Sequence, residues 1–246
     1  VLLVAWNSLP SNGWLRGHWP VFDEFFLSSP GAVATELHRL AGTNALEFWP
    51  NFWFTVTGAA LGLAIGLLCS VTVALVLTSS RLLKAALTPL MDLINAIPTI
   101  ALIPVIVLMF GPTLQTSVVI ATLSVFFFTV FNAHAGGASV PQDLVNNCAV
   151  LGASRTELMW RIRARYVVAW TMQILPGAIG HALASAFAAE LFSGSPGLGR
   201  LVMQAILSIN SNLVFATVIV IAILGILLTL LGNMVSARYL RWFGKN

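Results

Sequence analysis

The run LINAIPTIALIPVIVLMFGPTLQTSVVIATLSVFFFTVFNAHAGGASVPQ, residues 93–142, holds 50 positions without an Asp, Glu, Lys or Arg, and is closed by Asp92 before it and Asp143 after it. A helix that crosses a bilayer needs about 20 apolar residues, because it must satisfy its own backbone hydrogen bonds where no water is present. The run is therefore long enough for two crossings. It divides at Phe110-Gly111-Pro112-Thr113, since Gly followed by Pro punctuates two apolar segments.

Working outward, three more charge-free runs appear: 48–80 with 33 residues, 166–189 with 24 and 201–237 with 37. Each is long enough for one span. Charged residues make up 8% of the chain and hydrophobic ones 58%, against about 25% charged in a soluble domain. The expected fold is thus an all-α integral membrane protein with five complete spans. Val1-Leu-Leu-Val-Ala-Trp6 reads as the tail of a sixth, with the Trp6 indole at the interface it prefers. The chain opens on Val rather than Met, so further residues are expected before it. The predicted order is the end of the first span at 1–6, an outer loop at 7–52, and spans at 53–78, 87–110, 113–135, 167–191 and 205–235. A cytoplasmic hairpin is expected at 141–163.

Alternating loops put Arg81, Lys84, Arg155, Arg161, Arg163, Arg165, Arg238, Arg241 and Lys245 on one side, and only Arg16, Arg39 and Arg200 on the other. The positive-inside bias makes the richer side cytoplasmic, with both termini there. Four of these arginines crowd into Gly152-Ala-Ser-Arg-Thr-Glu-Leu-Met-Trp-Arg-Ile-Arg-Ala-Arg165. Charge alone allows this cluster to be an anchor for anionic headgroups. The local grammar adds a shape. Pro141 suits a first helical position and Asp143 suits the helix dipole. Leu144, Val145, Cys148 and Leu151 recur at helical spacing, and Gly152 caps the end. Ser154 with Glu157 makes a capping box that opens a second helix through Leu158, Met159 and Ile162. Such a hairpin, apolar on one face, is shaped to enter a groove on a soluble partner.

This segment resembles the cytoplasmic loop of ABC importer permeases. Gly152 stands at the signature glycine, Leu151-Gly152-Ala153-Ser154-Arg155 matches a common form of it, and Ile162 falls at the aliphatic position. Asn95-Ala-Ile-Pro98-Thr-Ile-Ala101-Leu-Ile-Pro104 with Phe110-Gly111 is similar to a motif of the nitrate, sulfonate and taurine branch. Ala189-Glu190-Leu-Phe followed by Pro196-Gly197-Leu198-Gly199 resembles another motif of that branch. Two departures stand out. Asn146-Asn147-Cys148 replace a Glu-Ala-Ala, and Ala164-Arg165 replace a Leu-Pro that would otherwise stop the second helix before span five.

The resemblance implies six transmembrane helices, the first only partly present, and a coupling-helix hairpin built on Asn146, Asn147, Cys148, Leu151, Gly152, Ala153, Ser154, Arg155, Glu157 and Ile162. It implies two ABC ATPase subunits that bind ATP and Mg, a second permease subunit as homo- or heterodimer, and an extracytoplasmic substrate-binding protein, all at a bacterial inner membrane. No phosphate-cradling Gly-x-x-x-x-Gly-Lys-Ser/Thr loop occurs in the sequence, so this chain is expected to hold no cofactor. It is not expected to be an enzyme, nor to bind nucleic acid.

Polar residues in spans should face the bundle or a water-filled path. Asn95, Thr99, Ser124, Asn132, Gln173, His181 and Ser185, with the bend residue Pro98, are the candidates for the translocation path. His181 and Ser185 share a face at four residues' spacing. A span Ser or Thr equally well bonds its own helix, and a lone His is more often a packing residue. No second His or Cys sits at metal-ligand spacing, so no metal site is expected. Glu190 reads as a carboxylate near the outer surface, paired with Arg200. With Gly197 and Gly199 it is the candidate outer gate or binding-protein contact. Gly58, Gly62, Gly66 and Ser70 form a small-residue ridge read as a packing seam. A secondary transporter or channel is the alternative function, but that class usually carries intramembrane ionisable groups, and these spans are nearly free of acids.

Overall fold

A computed structural model describes residues 28–241, and these are helical throughout apart from short turns. The expected end of a first span at 1–6 lies outside the described residues. Helix α1, Pro30–Ala41, follows a Ser29 cap whose hydroxyl accepts from the Ala32 amide. The stretch 7–52 is therefore not loop to its end. Serine then proline is a helix start, and Val33 and Leu40 bury α1 against Phe48, Leu198, Leu201 and Ala216.

Helix α2, Ala45–Ser79, has 35 residues and runs about 52 Å at 1.5 Å per residue. It begins well before position 53. Its small-residue ridge packs on helix α5, Leu114–Ala138. A Cβ added at Gly66 would lie 2.8 Å from Val125, one at Gly58 would lie 3.2 Å from Ser117, and one at Gly62 would collide with Ala121. Backbones this close gain dispersion contacts that a bulkier seam forfeits. The ridge is a packing seam.

The span expected at 87–110, with Pro98 as its bend residue, is broken there into separate helices. Helix α3, Arg81–Asn95, a 3-10 turn at Thr99–Leu102, and helix α4, Ile103–Phe110, replace it. The two arms meet at an 80° bend. The physical cause is Pro98, which has no amide hydrogen to continue the ladder and caps the turn with an extended ψ of 122°. Pro104 sits in the first turn of α4, where a missing donor costs nothing. Leu102, Ile103 and Ile106 pack α4 and its turn onto Ile120 of α5 and Ala189.

After α5 come helix α6, Gln142–Val150, and helix α7, Arg155–Glu157, which runs through a π turn at Leu158–Arg163 into helix α8, Ala164–Gln173. Span five is helix α9, Leu175–Ser193, restarted at Ile174 with Pro176 in its first turn. The last span also starts later than position 205. Helix α10, Leu198–Leu207, ends in a turn where Ile209 takes a φ of 53°, and helix α11, Ser211–Leu240, follows. Helices α2, α5, α9 and α11 share a core of Ala59, Ala121, Val125, Ala182, Leu183 and Leu224. Among the described residues four helices are long and apolar enough to cross a membrane, or five if the bent pair counts as one span.

Candidate functional site

Three groups of residues carry the candidates. The first is the hairpin. At the end of α6 the Ala153 amide donates to Cys148 and the Gly152 amide to Ala149, both at 3.0 Å. That is the double bond of a Schellman cap, and it needs the φ of +85° that Gly152 adopts. Ser154 then accepts from the Glu157 amide at 3.2 Å while the Glu157 carboxylate accepts from the Ser154 amide at 3.0 Å. The Ser154 amide first, then its hydroxyl and Arg161, hold the Glu157 carboxyl below the usual carboxylate range. Chain reversal is thus set by local bonds alone.

The reversal leaves a notch of about 430 Å³ lined by Cys148, Leu151, Gly152, Ala153, Glu157 and Ile162 among others. Six of the ten coupling candidates therefore meet in one concavity. Val150 is 88% exposed, Leu151 86% and Trp160 65%. Arg155 lies instead in a neighbouring hollow with Ser79 and Trp160. Asn146 accepts from Gln142 at 3.2 Å on its own helix, and Asn147 is exposed. The hairpin is tied to the bundle by Arg163, whose Nη1 donates to the Thr78 carbonyl at 2.9 Å.

The second group lies mid-bundle. Ser124 on α5 and His181 on α9 approach to 3.5 Å, and the Phe128 ring stacks on the imidazole with centroids 4.1 Å apart. His181 is exposed, and a Cβ at the adjacent Gly180 would touch nothing. Ser185 is half-buried one turn along. Asn132 donates to the Phe128 carbonyl, and Gln173 is exposed at the end of α8. Asn95, Pro98 and Thr99 gather at the bend and share no hydrogen bond with the Ser124–His181 pair.

The third group corrects an expectation. Glu190 is fully buried rather than interfacial, and Arg200 is not its partner. Its Oε2 accepts from the Thr55 hydroxyl at 2.7 Å and from the Gly199 amide at 3.1 Å. Asn51 Oδ1 takes the Gly197 amide at 2.7 Å and Arg200 Nη2 at 3.2 Å. The Leu198 amide closes the knot on Thr55 at 2.9 Å. Gly197, at φ +135°, lies so near the Glu190 carboxylate that no Cβ fits. Sequence reasoning missed Asn51 and Thr55. The available signal was two polar residues four apart at the head of an apolar run, on the face continued by Gly58 and Gly62.

The model of the binding-protein-dependent transport system inner membrane component family matches residues 43–241. The chain belongs to that family. It is the transmembrane permease subunit of an ABC importer, an inner-membrane transport component. The taurine transport system permease protein TauC of Escherichia coli (strain K12) is 27% identical over 259 residues, covering 100% of this chain and 88% of that protein. The riboflavin transport system permease protein RibX of Chloroflexus aurantiacus is 29% identical over 247 residues, covering 98% and 87%. A structure of the MetNI methionine ABC transporter in an inward-facing conformation superposes with a TM-score of 0.67 at 15% identity, over 76% of this permease and 93% of that chain. That likeness speaks for the fold.

Proposed function

We propose that the hairpin of α6 and α7 is the handle by which a separate ATPase moves this permease. Two ATPase subunits bind ATP and Mg, and their closure pushes the notch around Gly152. The π turn at Leu158–Arg163 carries the push without a break into α8, and Arg163 passes it to the end of α2. The observation that carries this reading is a locally bonded reversal with Val150 and Leu151 exposed at its tip and Trp160 exposed on its second arm. Rigid apolar knobs beside a notch are what a soluble partner's groove accepts.

In this reading the hairpin end faces the cytoplasm, as the charge bias requires, and both termini lie on that side. The α9 face bearing Gly177, Gly180, His181 and Ala184 meets a second permease chain, identical or related, so the path runs between them. Ser124, His181 and Ser185 contact a small polar or anionic solute delivered by a substrate-binding protein at the Glu190 end. The relatives named for taurine and riboflavin differ in cargo, so selection rests largely with that binding protein.

The test is co-purification. The double substitution of Val150→Asp with Leu151→Asp should abolish recovery of the co-expressed ATPase from detergent while leaving membrane insertion intact. Undiminished recovery refutes the handle.

A further inference from the structure

A polar cavity of about 280 Å³ opens where α2, α3, α5 and the hairpin converge, lined by Thr78, Lys84, His134, Gly137, Gln142 and Arg163 among others. No carboxylate lines it. The ion pairs among the described residues are Arg39 with Glu36 and Arg161 with Glu157, so neither Lys84 nor Arg163 has an acid of the described residues within 4.0 Å. Arg163 uses one donor on Thr78 and keeps others of its five. The Thr78 hydroxyl donates to Ala74 at 2.7 Å, so it can only accept from His134 Nδ1 at 3.3 Å. His134 Nε2 is buried without a partner. Gln142 begins the nine-residue α6 and lines the cavity, so a helix start with unbonded first-turn amides lies at the cavity wall.

Two unpaired cations, an amide and a helix start around an acid-free hollow form a site for an oxyanion. Its depth is that of the last turns of α2 and α5, where headgroups meet a span. Basic pockets between membrane helices at this level hold phosphorylated headgroups, and guanidinium with ammonium suits phosphate oxygens. We propose that this cavity binds a phosphoryl oxyanion, the headgroup phosphate of an anionic lipid or free phosphate, bridging Lys84 of α3 to Arg163 and Gln142 of the hairpin. Such an occupant clamps both hairpin arms to the bundle, making the lipid or ion a stiffener of the coupling handle.

The test uses the full-length permease purified with its co-expressed ATPase. After delipidation, phosphatidylglycerol or phosphatidylcholine is added back and retention is read by native mass spectrometry. Inorganic phosphate is titrated separately while thermal unfolding is followed. Lys84→Gln should lower phosphatidylglycerol retention, or the phosphate-induced rise in Tm, about tenfold in midpoint concentration. Lys84→Arg should restore it, and Arg238→Gln, which removes a last-turn cation of α11 that does not line the cavity, should not reduce it. Gln142→Glu, which puts a carboxylate in the hollow, should match Lys84→Gln and serves if that variant is poorly made. A phosphatidylglycerol effect without a phosphate effect assigns a lipid source, and the reverse assigns a free ion. Equal losses in Lys84→Gln and Arg238→Gln, or no binding of either probe by the wild type, overturn the proposal. ATPase recovery is read alongside. Loss of the anion with full recovery leaves the handle reading intact, whereas failure of the handle reading does not remove the site.

Discussion

The Thr55 hydroxyl donates to the Glu190 carboxylate at 2.7 Å, joining α2 to α9 across 135 positions of sequence inside a fully buried knot. One oxygen serves two bonds here, because Thr55 also accepts the Leu198 amide. Thr55→Val keeps the shape, strands the Leu198 amide and leaves the Glu190 carboxylate with the Gly199 amide alone, which should cost about 2 kcal/mol. A thermal-unfolding midpoint equal to that of the wild type would contradict the knot. Gly197→Ala should be worse, since the new methyl meets the Glu190 carboxylate and φ +135° is strained for any Cβ.

The α2–α5 seam makes a paired prediction. Gly62→Val drives a branched side chain into Ala121 and should prevent stable accumulation, whereas Gly31→Ala in α1 adds a methyl to open space and should shift the unfolding midpoint by less than about 0.5 kcal/mol equivalent. Fluorescence-detected size exclusion after heating compares the two directly.

These elements were unequally legible in the sequence. The hairpin could be read because Pro141, Gly152, Ser154 and Glu157 act through bonds no more than five residues long. The missing Leu-Pro correctly implied a second arm running on towards span five, which α8 does. The bend at Pro98 was harder, since Pro104 six residues on looks alike but merely starts a helix. Glu190 was misread because its partners Thr55 and Gly199 are set by tertiary packing, and no local pattern distinguishes a buried carboxylate from an interfacial one. The Ser124–His181 pair was legible as polar residues in spans, but the Phe128 stack that orients the imidazole was not.

For the mid-bundle group, His181→Ala should change uptake without lowering ATPase recovery, and Ser124→Ala should do the same more weakly, since it removes a single polar contact worth about 1 kcal/mol. Uptake by proteoliposomes holding the whole transporter, with its binding protein in the lumen, provides the measurement. Unchanged uptake in His181→Ala returns that residue to packing.

The capping box carries a pH dependence. Glu157 has its carboxyl held below its usual value by the Ser154 amide, the Ser154 hydroxyl and Arg161. A depressed folded value means the stabilisation is complete above the ordinary 4.5 and is lost as pH falls through the lower folded value. Hydrogen exchange at the Glu157 and Leu158 amides should therefore accelerate, beyond its intrinsic pH dependence, only below that range. In Glu157→Gln this extra acceleration should vanish. The same acid response in both proteins would contradict the box.

The most direct test of the handle places a thiol at its tip. With Cys69→Ser and Cys148→Ser as background, Leu151→Cys is labelled with a membrane-impermeant maleimide in spheroplasts and in inverted vesicles, then cross-linked in the presence of the ATPase with and without ATP. The account predicts labelling only in inverted vesicles, a cross-link to the ATPase, and a change in its yield when ATP is added. Labelling from the outside of spheroplasts, or no ATPase cross-link in either nucleotide state, would contradict it.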